Sequence, residues 1–74
     1  MKMEKQLALV LAGSSIVNGV ALARQAGKHE AEVVKFEQMC NAVISKGAEL
    51  PDAFFASIKS SSTGRDIFRA IHAA

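Results

Sequence analysis

Residues 6–23, QLALVLAGSSIVNGVALA, run for 18 positions without a charge. Wound into a helix at about 100° per residue, they sort into stripes. Ala8, Ala12, Ser15, Gly19, Ala23 and Ala26 follow one another at spacings of 4, 3, 4, 4 and 3, so they share one face. Leu11 and Leu22 border that stripe on one side, and Leu9, Ile16 and Val20 on the other. A small-residue groove between apolar ridges lets a second helix approach closely. The expected oligomer interface is therefore Ala8, Ala12, Ser15, Ile16, Gly19 and Ala23, most simply against the same helix of a second copy.

Length and composition press toward the same conclusion. A chain of 74 residues is one small domain, 1–74. Domains near this size bury only about 60% of their unfolded surface and gain little from a single core. Disulfides, metals or oligomerisation usually make up the difference. The lone Cys40 forbids an internal disulfide, and Cys40, His29 and His72 lack the close spacing of a metal site. Oligomerisation remains. Half of the residues are hydrophobic but only 5% are aromatic, which suits closely packed helices. A net charge of +2 is too small to argue for nucleic acid by itself.

Two other readings of the N-terminal stretch bear on localisation. Met1 to Lys5, an apolar run and then Ala21-Leu22-Ala23 imitate a secretory signal. Glu4 in the charged region, and Ser14, Ser15, Asn18 and the glycines within the run, speak against one. Eighteen uncharged residues also approach the roughly 20 needed to cross a bilayer. Ser14, Asn18 and Gln25 give the helix a polar side, which suits a protein interface better than lipid. The expectation is a cytoplasmic protein, with membrane insertion through 6–23 as an alternative.

No run alternates apolar and polar residues with β-branched enrichment, so the chain is read as all-α. A first helix spans about 4–26 and stops at Gly27, a residue suited to the left-handed conformation that ends helices. A second spans about 30–46, with Glu30 and Glu32 at its start and Lys46 at its end, as the helix dipole favours. Val33, Phe36, Cys40, Val43 and Gly47 form its expected buried face, and Gly47 its expected stop. Leu50-Pro51-Asp52 opens a short third helix. Ser62 or Thr63 caps a fourth, about 64–72, with Asp66 in its first turn. The fold expected is a helical hairpin plus two short C-terminal helices that pack over one end or swap onto a partner, in an intertwined or side-by-side homodimer.

Nothing in the sequence assembles a catalytic site or a cofactor motif. There is no Ser-His-acid arrangement and no pair of carboxylates around a predicted cleft. Cys40 sits on an apolar face without a nearby cation and reads as a core residue. His29 and His72 read as surface residues. The most site-like segment is 59–69. Lys59, Ser61, Ser62, Thr63, Arg65 and Arg69 gather cations, hydroxyls and a helix start, where a carboxylate or phosphate is favoured. Phe54 and Phe55 are adjacent, so both cannot face one core from a helix, and one is a candidate docking anchor. The function expected is non-catalytic binding of another macromolecule by a small regulator, inhibitor or adaptor, in the style of a phage or bacterial accessory protein that occludes a host target. A DNA-, nucleotide- or anion-binding module using the basic C-terminal end is the alternative, without strong support from the few cations there.

Overall fold

The computed structural model describes residues 3–74, and within them four helices follow one another: α1 (Lys5–Gln25), α2 (Glu30–Glu49), α3 (Asp52–Ala56) and α4 (Gly64–Ala73). No strand occurs among the described residues. Met1 and Lys2, the beginning of the signal-like segment, lie outside them.

α1 and α2 form the hairpin, and the turn between them is built from local chemistry. Gly27 has a φ of 77°, the only positive φ among the described residues. Its N–H donates to the Arg24 carbonyl at 3.1 Å, and the Lys28 N–H reaches back to the Ala23 carbonyl at 3.2 Å. This is the Schellman arrangement, which satisfies the last carbonyls of a helix. Across the turn Arg24 Nη2 meets Glu30 Oε1 at 2.8 Å. The pair is exposed, and it holds the Glu30 carboxyl below its ordinary range.

α4 begins with a capping box. The Thr63 hydroxyl accepts from the Asp66 N–H at 3.2 Å, and the Asp66 carboxylate accepts from the Thr63 N–H at 3.1 Å. At the other end of α4, Lys46 Nζ donates to the His72 carbonyl at 3.3 Å and to the Ala74 carbonyl. Lys46 thus completes the C-terminus of α4 from the neighbouring helix.

The core forms where α4 and α3 close over one end of the hairpin. Met3, Ala8, Ala12, Val43, Phe55, Ile67 and Ile71 make one buried cluster, and Ile16, Val20, Val33 and Cys40 make a second beside it. α4 approaches α1 very closely: a Cβ on Gly64 would lie 2.2 Å from the Leu11 carbonyl oxygen.

Two expectations about α2 are corrected. Gly47 does not stop the helix, which continues to Glu49 and ends at Leu50-Pro51. Gly47 is instead buried, and a Cβ there would lie 3.0 Å from both Ile71 Cδ1 and Leu9 Cδ2. It is small because α1 and α4 crowd α2 at that point. Phe36, expected in the buried face, is 40% exposed, because α4 does not extend that far along the hairpin.

Candidate functional site

The small-residue stripe of α1 lies in the furrow between α1 and α2, and α4 fills only part of that furrow. Ala8 and Ala12 are fully buried in the chain's own core, and Ile16 is buried next to them. Ser15 is half-buried, 3.2 Å from where a Cβ on Gly64 would sit. Beyond this point the stripe continues as Gly19 and Ala23, and no helix among the described residues covers it. The stripe therefore accepts a close-packed helix as its pattern implies, and for its first half that helix belongs to the same chain.

The open half of the furrow holds two adjoining spaces that share Gly19 and Phe36. Nearest α4 it forms a space of about 530 Å³ lined by Ser15, Gly19, Leu22, Phe36, Cys40 and Phe68, with Arg65 and Arg69 at its edge. Toward the hairpin turn it continues as a space of about 290 Å³ lined by Gly19, Ala23, Val33 and Phe36, with Lys28 and Glu32 at its rim. Gly19 keeps the floor low: a Cβ there would lie 3.9 Å from Phe36 Cε2. Leu22 is 56% exposed, so the floor and wall present apolar surface to water. Cys40 lies at the base, 1% exposed, and burial pushes its thiol pKa up.

Charge at the rim is one-sided. Among the described residues Arg24–Glu30 is the one ion pair within 4.0 Å. Arg65, Arg69 and Lys28 therefore have no carboxylate at that distance, and Glu32 is the one acidic residue among the groove's lining groups.

The segment 59–69 is divided by the structure. Arg65 and Arg69, four residues apart, share a face and line the groove. Lys59 and Ser61 are exposed in the connection before α4, and Ser62 is half-buried. Thr63 is committed to the capping box. The helix start there already holds a carboxylate, that of Asp66. Its pKa is lowered by the Thr63 N–H first, then by the Thr63 hydroxyl, with smaller help from Arg69 and Arg65. Phe55 is fully buried, and Phe54 is half-buried against it with ring centroids 5.2 Å apart in an edge-to-face contact. The Phe pair anchors α3 to the core, and the aromatic residues that line the groove with the arginines are Phe36 and Phe68.

Sequence reasoning missed a further surface. Leu7, Val10 and Val17 are 52%, 64% and 71% exposed, on the side of α1 turned away from Ala8, Ala12, Ile16 and Val20. Its signal was available: a helix without charge around its whole circumference leaves apolar residues outside whichever side it buries. The chain matches no protein-family model, no curated protein sequence and no solved structure.

Proposed function

We propose that this protein is a non-catalytic docking module that binds a helix of a partner protein in the open half of the α1–α2 furrow, and acts as a regulator, inhibitor or adaptor. The observation that carries the reading is the half-filled furrow. The chain's own α4 shows how a helix lies in its first half, against Ala8 and Ala12. The continuation past Gly19 and Ala23 offers the same small floor between Leu22 and Phe36. Helix-in-groove recognition uses apolar anchors in such a slot, with polar groups at the rim fixing the orientation. Arg65, Arg69 and Lys28 favour a partner helix that carries Asp or Glu beside its apolar face.

The test is affinity capture of host proteins on three versions of the chain: wild type, the double variant Arg65→Ala/Arg69→Ala, and Gly19→Trp, which fills the floor. A specific partner is retained by wild type and lost from both variants, while circular dichroism shows their helicity unchanged. Interfaces lose about 2 kcal/mol or more when a central arginine is removed. A partner held equally by all three places the binding surface elsewhere. Retention that disappears after nuclease treatment, with affinity falling steeply as salt rises, would replace this reading with the nucleic-acid one.

A further inference from the structure

The open half of the furrow has two unlike ends. Gly47 lies against both Ile71 and Leu9, and Gly64 against Leu11 and Ser15. α4 therefore runs antiparallel to α1, and its first residue sits beside Ser15. A helix lying on Gly19 and Ala23 and directed toward Ser15 meets the start of α4 there. At the other end the groove is bordered by Lys28 and Glu32, and no helix among the described residues stands across it. The α1 floor from Ser15 to Gln25 is about 15 Å long at the helical rise, roughly three turns of an occupant.

Charge also separates the two ends. At the α4 end both charged lining residues, Arg65 and Arg69, are positive. At the turn end Lys28 and Glu32 offset each other. Neither arginine has a carboxylate within 4.0 Å. The Asp66 carboxylate, between them in sequence, accepts from the Thr63 N–H instead. The α4 end thus holds two cations available to an incoming negative group. Every helix carries such a group at one place, its C-terminal carbonyls. The chain already closes one helix in this way: Lys46 donates from α2 to the His72 and Ala74 carbonyls at the end of α4.

Given the furrow as the docking site proposed above, we infer that the partner helix ends against α4, with its C-terminal turn at Arg65 and Arg69 and its chain antiparallel to α1, as α4 is. Its last carbonyls accept from the guanidinium N–H groups. A carboxylate in the same turn adds a charge-assisted bond to them. The reverse orientation places the positive end of the partner's dipole, with its unpaired N–H groups, against two cations. The partner that fits is a helix of about three turns that stops in the furrow. It turns an apolar stripe to Gly19 and Ala23 and has an acidic last turn.

Fluorescence anisotropy of the full chain with two designed peptides tests the orientation. Both have about 14 residues, enough for a marginal isolated helix, and share an Ala/Leu stripe on a Gln background. The acid-last peptide carries two Glu and a free carboxylate in its last turn. The acid-first peptide carries the two Glu in its first turn and ends in an amide. The acid-first peptide is the better helix in isolation, so helicity alone ranks it first. The acid-last peptide binds wild type about tenfold tighter or more, and Arg65→Ala/Arg69→Ala cuts that preference to about twofold or less. In a Cys40→Ala background, Ser15→Cys forms a disulfide with a cysteine in the last turn of the acid-last peptide and not with one in its first turn. An equal or reversed preference, a preference that survives the arginine substitutions, or trapping through the first turn overturns the orientation and leaves the furrow as the docking site. Binding that Gly19→Trp leaves unchanged, or no binding of either peptide at about 1 mM, overturns the furrow as the docking site and the orientation with it.

Discussion

Gly64→Ala should destabilise the fold more than any other single methyl added to a glycine of this chain. The added Cβ would lie 2.2 Å from the Leu11 carbonyl oxygen and 2.8 Å from its carbon. A carbon ordinarily approaches a carbonyl oxygen to about 3.3 Å. The start of α4 must therefore lift by about 1 Å, because the obstacle is helix backbone and cannot rotate away. A gap of that size forfeits about a quarter to a half of each dispersion contact it opens. The contacts at risk are those of Ile67 and Ile71, both fully buried. Overpacking of this kind costs typically about 1–3 kcal/mol, and the backbone clash puts Gly64→Ala near the upper end. A 74-residue chain has a total stability of about 4–11 kcal/mol. A loss of about 2.5 kcal/mol lowers the melting temperature by about 10–20 °C in a domain of this size. Thermal denaturation followed by circular dichroism measures it, with Gly19→Ala as the matched control. That Cβ makes only an ordinary 3.9 Å contact with Phe36. Removing a mid-helix glycine there should raise stability by about 0.5–1 kcal/mol. If Gly64→Ala melts within about 3 °C of wild type, α4 is not seated on α1 at Leu11, and the division of the furrow into filled and open halves fails with it.

Four further outcomes are expected. Thr63→Ala removes the side-chain acceptor of the α4 capping box and should cost about 1 kcal/mol in denaturant unfolding. Asp66 also gives that cap a pH dependence. Its pKa in the fold lies below the ordinary Asp value of 3.8, so its stabilisation is complete above 3.8 and is lost as pH falls through the folded value. The difference in melting temperature between wild type and Asp66→Asn should therefore shrink on acidification below 3.8, and a constant difference would dismiss the carboxylate's part in the cap. Gly27→Ala forces a side chain into the left-handed region and should destabilise by about 1–2 kcal/mol, measured by the same melts. Cys40 should resist thiol reagents until the chain unfolds, since it is buried and its thiol pKa is raised. Rapid labelling of the native protein would contradict its place in the buried cluster with Ile16, Val20 and Val33.

The sequence by itself determined the helices, because the signals that start and stop them act within one turn. Gly27 ends α1 by turning the chain so that its own N–H donates to the Arg24 carbonyl and the Lys28 N–H to the Ala23 carbonyl. Thr63 and Asp66 begin α4 through each other. The small stripe of α1 was equally legible as a seat for a close-packed helix, since its spacing follows from the helical repeat alone. Which helix takes that seat was a tertiary matter. α4 has 10 residues and α1 has 21, so at the same rise per residue α4 can shield no more than about half of α1's length. Where along α1 that half falls depends on the path of the chain through α3 and the connection at 57–63, and no local pattern encodes it. The same uncertainty governs Gly47 and Phe36. In sequence, a glycine that stops a helix and a glycine that makes room for Ile71 look alike. An aromatic residue on the apolar face of α2 is covered or left in the open groove according to where α4 comes to rest.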